Sequence, residues 1–137
     1  MLGQLDDEEV DLHDIFVIFK ALTRLGVASD EITNKLVQFI VDRGYDSSDL
    51  QSLGARKCTF MLSEIAKTSP ELDNSIFLVF IATFIKESTS KLYKLDCQNL
   101  LEVLKTLKYL EDDELEQLLK TRIEKINKNP NIEIELS

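Results

Sequence analysis

Three stretches of the chain share one phrase: an aspartate, two further residues, an aspartate or asparagine, then an aliphatic residue that begins an apolar stripe. The copies are Asp11-Leu12-His13-Asp14-Ile15, Asp46-Ser47-Ser48-Asp49-Leu50 and Asp96-Cys97-Gln98-Asn99-Leu100. An aspartate in this position accepts a hydrogen bond from the unpaired N–H groups of a first helical turn. A second acid three residues on places negative charge where the helix dipole is positive. The phrase therefore marks helix starts, and its recurrence predicts a chain built from repeated helical units. Four glycines, two prolines and no tryptophan, in a chain rich in Leu, Ile, Lys and Glu, predict an all-α protein.

Apolar spacing outlines six helices. The first covers residues 11–25, with Leu12, Ile15, Phe16, Ile18, Phe19, Leu22 and Leu25 inward, and Gly26 closes it in a left-handed conformation. The second runs from 29 to 44 and turns Ile32, Leu36, Phe39 and Ile40 inward. The third runs from 46 to about 67 on Leu50, Leu53, Cys58, Met61, Leu62 and Ile65; Gly54 inside it reads as a point where a neighbouring helix crosses closely. After Thr68-Ser69-Pro70 comes a fourth, 70–87, apolar on nearly all sides through Leu72, Ile76, Phe77, Val79, Phe80, Ile81, Phe84 and Ile85, and so expected to be covered on several faces. The fifth, 96–110, buries Leu100, Leu101, Val103, Leu104 and Leu107. The sixth follows Glu111-Asp112-Asp113-Glu114, carries Leu115, Leu118, Leu119, Ile123 and Ile126, and ends at Asn129-Pro130. In the tail, Ile132-Glu133-Ile134-Glu135-Leu136 alternates apolar and acidic residues as a strand or extended segment does.

The first and fifth helices align from Asp11 on Asp96 through Leu25 on Leu110, Lys20 falling on Lys105. The expected architecture is an α-solenoid of about three antiparallel helix pairs, six helices in all, over residues 11–128. An acidic arm, 1–10, precedes it and a short extended tail, 129–137, follows. A compact six-helix bundle is the alternative.

The opening phrase, with helices such as Phe19-Lys20-Ala21-Leu22-Thr23-Arg24-Leu25 and Leu104-Lys105-Thr106-Leu107-Lys108-Tyr109-Leu110, resembles the degenerate helical repeats of organellar RNA-associated proteins. These are the octotricopeptide and heptatricopeptide arrays and the helical regions of FAST-kinase and RAP-domain proteins. The resemblance covers roughly residues 10–127. It implies a mitochondrial or plastid protein that holds RNA or ribosomal components on a helical face.

Residue chemistry favours contact over catalysis. His13 is the one histidine, and no phosphate-loop, nucleophile-elbow, dinucleotide or HExxH motif is present, so no catalytic, metal or cofactor site is expected. Cys58 and Cys97, without paired spacing, read as reduced thiols within apolar helices in an intracellular compartment, with a disulfide between them as the alternative. The acidic clusters lack the oxygen spacing of a calcium loop. The apolar run 76–85 is too short to cross a bilayer. A net charge of −9 repels phosphates at long range. Basic residues nevertheless recur late in the first helix of each unit: Lys20 and Arg24, Arg56 and Lys57, Lys105 and Lys108. With the units stacked in register they would form a ridge able to touch RNA or an acidic partner; the alternative is that they complement helix C-termini and stay solvated. Tyr45, Tyr93 and Tyr109 lie near unit boundaries, where they would seal contacts between units, the more common use, or stack bases. The expected function is a non-enzymatic scaffold or adaptor within a mitochondrial or plastid ribonucleoprotein. It would have protein partners in a larger assembly, RNA as a further contact, and neither a membrane nor a small-molecule substrate. The alternatives are a cytoplasmic armadillo-like protein-binding module without an RNA role, and an end fragment of a longer solenoid.

Overall fold

A computed structural model describes residues 10–71, 75–107, 110 and 112–136, and among these residues the chain is helical throughout, with no strand. The elements in order are α1 (Leu12–Arg24), α2 (Asp30–Arg43), α3 (Ser47–Leu53), α4 (Ala55–Thr68), α5 (Ser75–Glu87), α6 (Lys94–Thr106), α7 (Asp113–Lys128) and α8 (Asn131–Glu135), with a 3-10 turn at Thr89–Lys91. The all-α class holds, while the solenoid of three pairs and six helices does not: the described residues form a bundle of eight.

Two local causes account for the extra helices. Gly54 takes φ 98° and ψ 151°, a conformation that side chains with a Cβ avoid. Its N–H donates to the Leu50 carbonyl at 2.8 Å and closes α3, while its own carbonyl accepts from Cys58 N–H at 3.1 Å and opens α4. One residue thus makes a corner where a single long helix was expected. No atom lies within 4 Å of the position a Cβ would take, so backbone conformation explains this glycine and a closely crossing helix does not. At the tail, Pro130 sits at φ −59°, suited to a first helical turn. Residues expected to be extended therefore coil into α8, and the Glu133 carboxylate accepts the Lys94 N–H at 2.7 Å, fastening α8 to the start of α6.

The three opening phrases do not play one role. Asp11 and Asp46 are N-caps, each accepting the N–H of Asp14 or Asp49, whose carboxylates accept the cap N–H in return. In the third copy the helix begins earlier, at Lys94, and the Asp96 carboxylate accepts the Tyr93 N–H at 2.9 Å. Asp96 therefore corresponds to Asp14 and Asp49, three positions out of step with the alignment that placed it on Asp11. Residue 70 does not start the fourth predicted helix either: Pro70 and Glu71 form a turn, and α5 begins at Ser75. Leu72 lies outside the described residues.

Packing explains the departure from a stacked array. Helix α4 buries nine of its residues, from Ala55 to Ala66, and touches α1, α2, α3, α5 and α6, while α6 also packs on α7. Its polar residues are paired inside: Thr59 Oγ1 donates to the Ala55 carbonyl, and Glu64 accepts from Thr23 Oγ1 at 3.1 Å. The other inward faces form as the spacing predicts around Leu36, Leu100, Val103, Leu115 and Leu119. Two expectations of burial fail. Leu25 is 74% exposed at the C-cap of α1, and α5 leaves Ile76 86% exposed, so that helix is not covered on all sides. Among the described residues no helix is long and apolar enough to cross a membrane.

Candidate interaction site

Among the described residues, the cations of the candidate ridge do not all line one surface. Arg56 Nε lies 2.7 Å from Asp96 Oδ2, and its guanidinium stacks 3.9 Å from the Tyr93 ring centroid. Asp96 is buried, so this cluster clamps α4 to the first turn of α6 and Arg56 works as a structural pin. Lys105 sits on α6, 3.5 Å from Glu102, beside a hollow it shares with Asp112, Asp113 and Glu116. Lys108 lies outside the described residues.

The remaining three cations do meet. Lys20 and Arg24, one turn apart on α1, face Lys57 of α4 across a groove of about 520 Å³ whose lining includes His13, Phe16, Val17 and Leu25. The amphipathic geometry of α1 builds this face. Leu12, Ile15, Phe16 and Phe19 turn inward, and the adjoining strip of His13, Val17, Lys20 and Arg24 is left at the edge. Lys57 reaches back over α1, its Nζ 3.5 Å from His13 Nδ1 and 5.4 Å from the Phe16 centroid. Lys20 Nζ lies 6.0 Å from the same ring, which also meets Phe60 edge-to-face and His13 at a tilt. Val17 is 49% exposed. The groove therefore combines an aromatic and aliphatic floor with a positive rim. Sequence reasoning listed its cations but missed its floor. The available signal was Val17, an apolar residue standing beside the inward stripe to which Leu25 was expected to belong.

A second opening, about 240 Å³ and almost wholly apolar, lies among α1, α2, α3 and α5, lined by Leu12, Ile40, Leu50, Phe77 and Ile81 with Ile76 at its mouth. Tyr45 borders it and donates its hydroxyl to the Val10 carbonyl at 3.0 Å, so it seals the α2–α3 turn against the entry to α1. Burial raises the Tyr45 pKa above its ordinary value, against the lowering influence of Arg43. Tyr93 likewise bridges α4 and α6, and Tyr109 lies outside the described residues.

The other chemically interesting groups are enclosed. Cys58 and Cys97 are buried free thiols, so the disulfide alternative is not realised. Burial pushes Cys58 up to about 12. Burial, with the charge of Asp96 adding to it, pushes Cys97 up to about 11. Among the described residues no group of three His, Cys, Asp or Glu side chains is arranged to hold a metal ion.

Fold and surface together define an all-α helical bundle with a basic, aromatic-floored groove on one side and an apolar cleft on another. Comparison with protein-family models, curated proteins and solved structures finds no match to this chain.

Proposed function

We propose that this chain is a non-enzymatic adaptor that works by holding a protein partner in the groove between α1 and α4. The observation that carries the reading is the meeting of Lys20, Arg24 and Lys57 around Phe16, Val17 and Leu25. Charge beside exposed aliphatic surface is the composition of a contact site, where apolar area supplies affinity and charge supplies orientation. The burial of both thiols, which pushes their pKa values up, and the engagement of His13 by a lysine support a binding role over covalent chemistry. If the assembly is an organellar ribonucleoprotein, as the resemblance implies, the adaptor contacts one of its proteins, because a net charge of −9 opposes the approach of RNA.

The test is affinity purification from the native source of the unaltered chain and of a Lys20→Glu, Lys57→Glu variant, with every bound component identified. Partners retained by the first and lost by the second are expected. An identical set on both would sink the reading, and partners lost on ribonuclease treatment would replace the protein with RNA.

A further inference from the structure

We infer that the α1–α4 groove takes an acidic, aliphatic peptide segment: one aliphatic side chain on the Phe16–Val17–Leu25 floor, with carboxylates on either side reaching Lys20, Arg24 and Lys57. This rests on the adaptor reading and gives its partner a chemistry.

Charge complementarity is the first argument. Six other cations are answered from within: Lys35 by Glu31, Arg56 by Asp96, Lys67 by Glu64, Lys86 by Asp112 and Glu114, Lys105 by Glu102, and Lys120 by Glu116. Among the described residues Lys20, Arg24 and Lys57 have no carboxylate within ion-pair distance, although the chain carries 25 acids against 16 bases. Three cations left unpaired side by side in so acidic a chain form a local reversal of sign, and that reversal coincides with exposed apolar surface.

Spacing is the second. Lys20 and Arg24 stand four residues apart on α1, a rise of about 6 Å. Carboxylates one helical turn apart, or two residues apart in an extended segment, match that separation. The aliphatic side chain between or beside them then falls on the floor, and Lys57 approaches from α4.

Size decides against a polyanion. RNA or an anionic bilayer brings charge across tens of ångströms and meets the repulsion of the whole acidic molecule. A segment with two or three carboxylates interacts within a Debye length of about 8 Å, where the three cations dominate. The apolar floor also adds nothing for a phosphate backbone, whereas it rewards a leucine or isoleucine.

Fluorescence anisotropy on the full chain tests this with a labelled 12-residue peptide of repeated Glu-Leu-Ser. Two counterparts replace every Glu by Gln or every Leu by Ser, and a labelled uridine oligonucleotide is the polyanion. Saturable binding of the first peptide is expected, weakened about tenfold in either counterpart, and about tenfold by Lys20→Glu with Lys57→Glu in the protein. Lys105→Glu should leave it unchanged, and unaltered circular dichroism and melting of the groove variant confirm that it is folded. Equal binding of the Glu and Gln peptides, no saturable peptide binding, or tighter binding of the oligonucleotide would overturn the inference. Should the groove variant still lose native protein partners while none of the peptides binds, the adaptor reading survives and the acidic-segment inference fails.

Discussion

Individual residues carry more of the architecture than their type suggests. Gly54 holds a backbone conformation reserved for glycine while facing open space, so Gly54→Ala should destabilise through backbone strain alone, by about 1–3 kcal/mol. Urea denaturation of the two proteins checks this; a change under a few tenths of a kcal/mol would mean that the corner relaxes freely. Asp96, in the first turn of α6, joins two groups at once: the Tyr93 N–H and the Arg56 guanidinium. Asp96→Ala leaves the guanidinium without its carboxylate and the helix without its first-turn acceptor, for an expected loss of about 2 kcal/mol in the same assay. The roles of Asp11 and Asp46 as caps were legible in the sequence because a cap is a local interaction within three residues. The role of Asp96 was not. An aspartate preceding an apolar stripe can be the cap or the third residue beyond it, and the choice rests on where the preceding turn ends.

At the scale of elements, the tie between α5 and α7 is electrostatic. Lys86 Nζ lies 2.7 Å from Asp112 Oδ2 and 3.7 Å from Glu114. Burial alone would raise the Asp112 pKa, but the Lys86 hydrogen bond, the Leu115 N–H and the charge of Lys86 hold it below its ordinary 3.8. Its contribution to stability is therefore present above pH 3.8 and lost as the pH falls through the lower, folded value. For Lys86 the hydrogen bond to Asp112 raises the pKa above 10.5, so its contribution is present below that pH and lost as the pH rises through the folded value. Comparing Lys86→Met with the unaltered chain from pH 2 to 7 should show the largest stability difference near neutrality and a narrowing one under acid; a constant difference would mean that the pair is incidental. Ile76 supplies the contrasting case. Helical periodicity shows which faces are apolar but not which neighbour covers them, and so α5 was expected to be enclosed. Ile76→Gln should change stability by less than about 0.5 kcal/mol, a value within reach of thermal melting.

For the molecule as a whole, α4 is the shared wall on which five other helices lean. Leu62, 1% exposed at its centre, should cost about 2–5 kcal/mol as Leu62→Ala, and the loss should register equally in circular dichroism and in tyrosine emission, in one transition. Two separate transitions would indicate units that melt independently. The all-α class and most inward-facing residues were readable because they depend on the spacing of apolar side chains. The number of helices was not, since Gly54 splits a pattern whose periodicity continues across it. The groove was half readable: its cations were visible in the sequence, while their convergence depends on α4 lying against α1, which no local pattern encodes.

The central position of α4 also bears on how such a domain changes through descent. A linear array gains or loses a unit by duplication or deletion, because each unit borders only the next. Here, removal of any helix that borders α4 would bare part of the one element common to the others. Lineages of this domain should therefore vary in loop length and at the rim, near α8 and the mouth of the apolar cleft, and keep a constant helix count around α4.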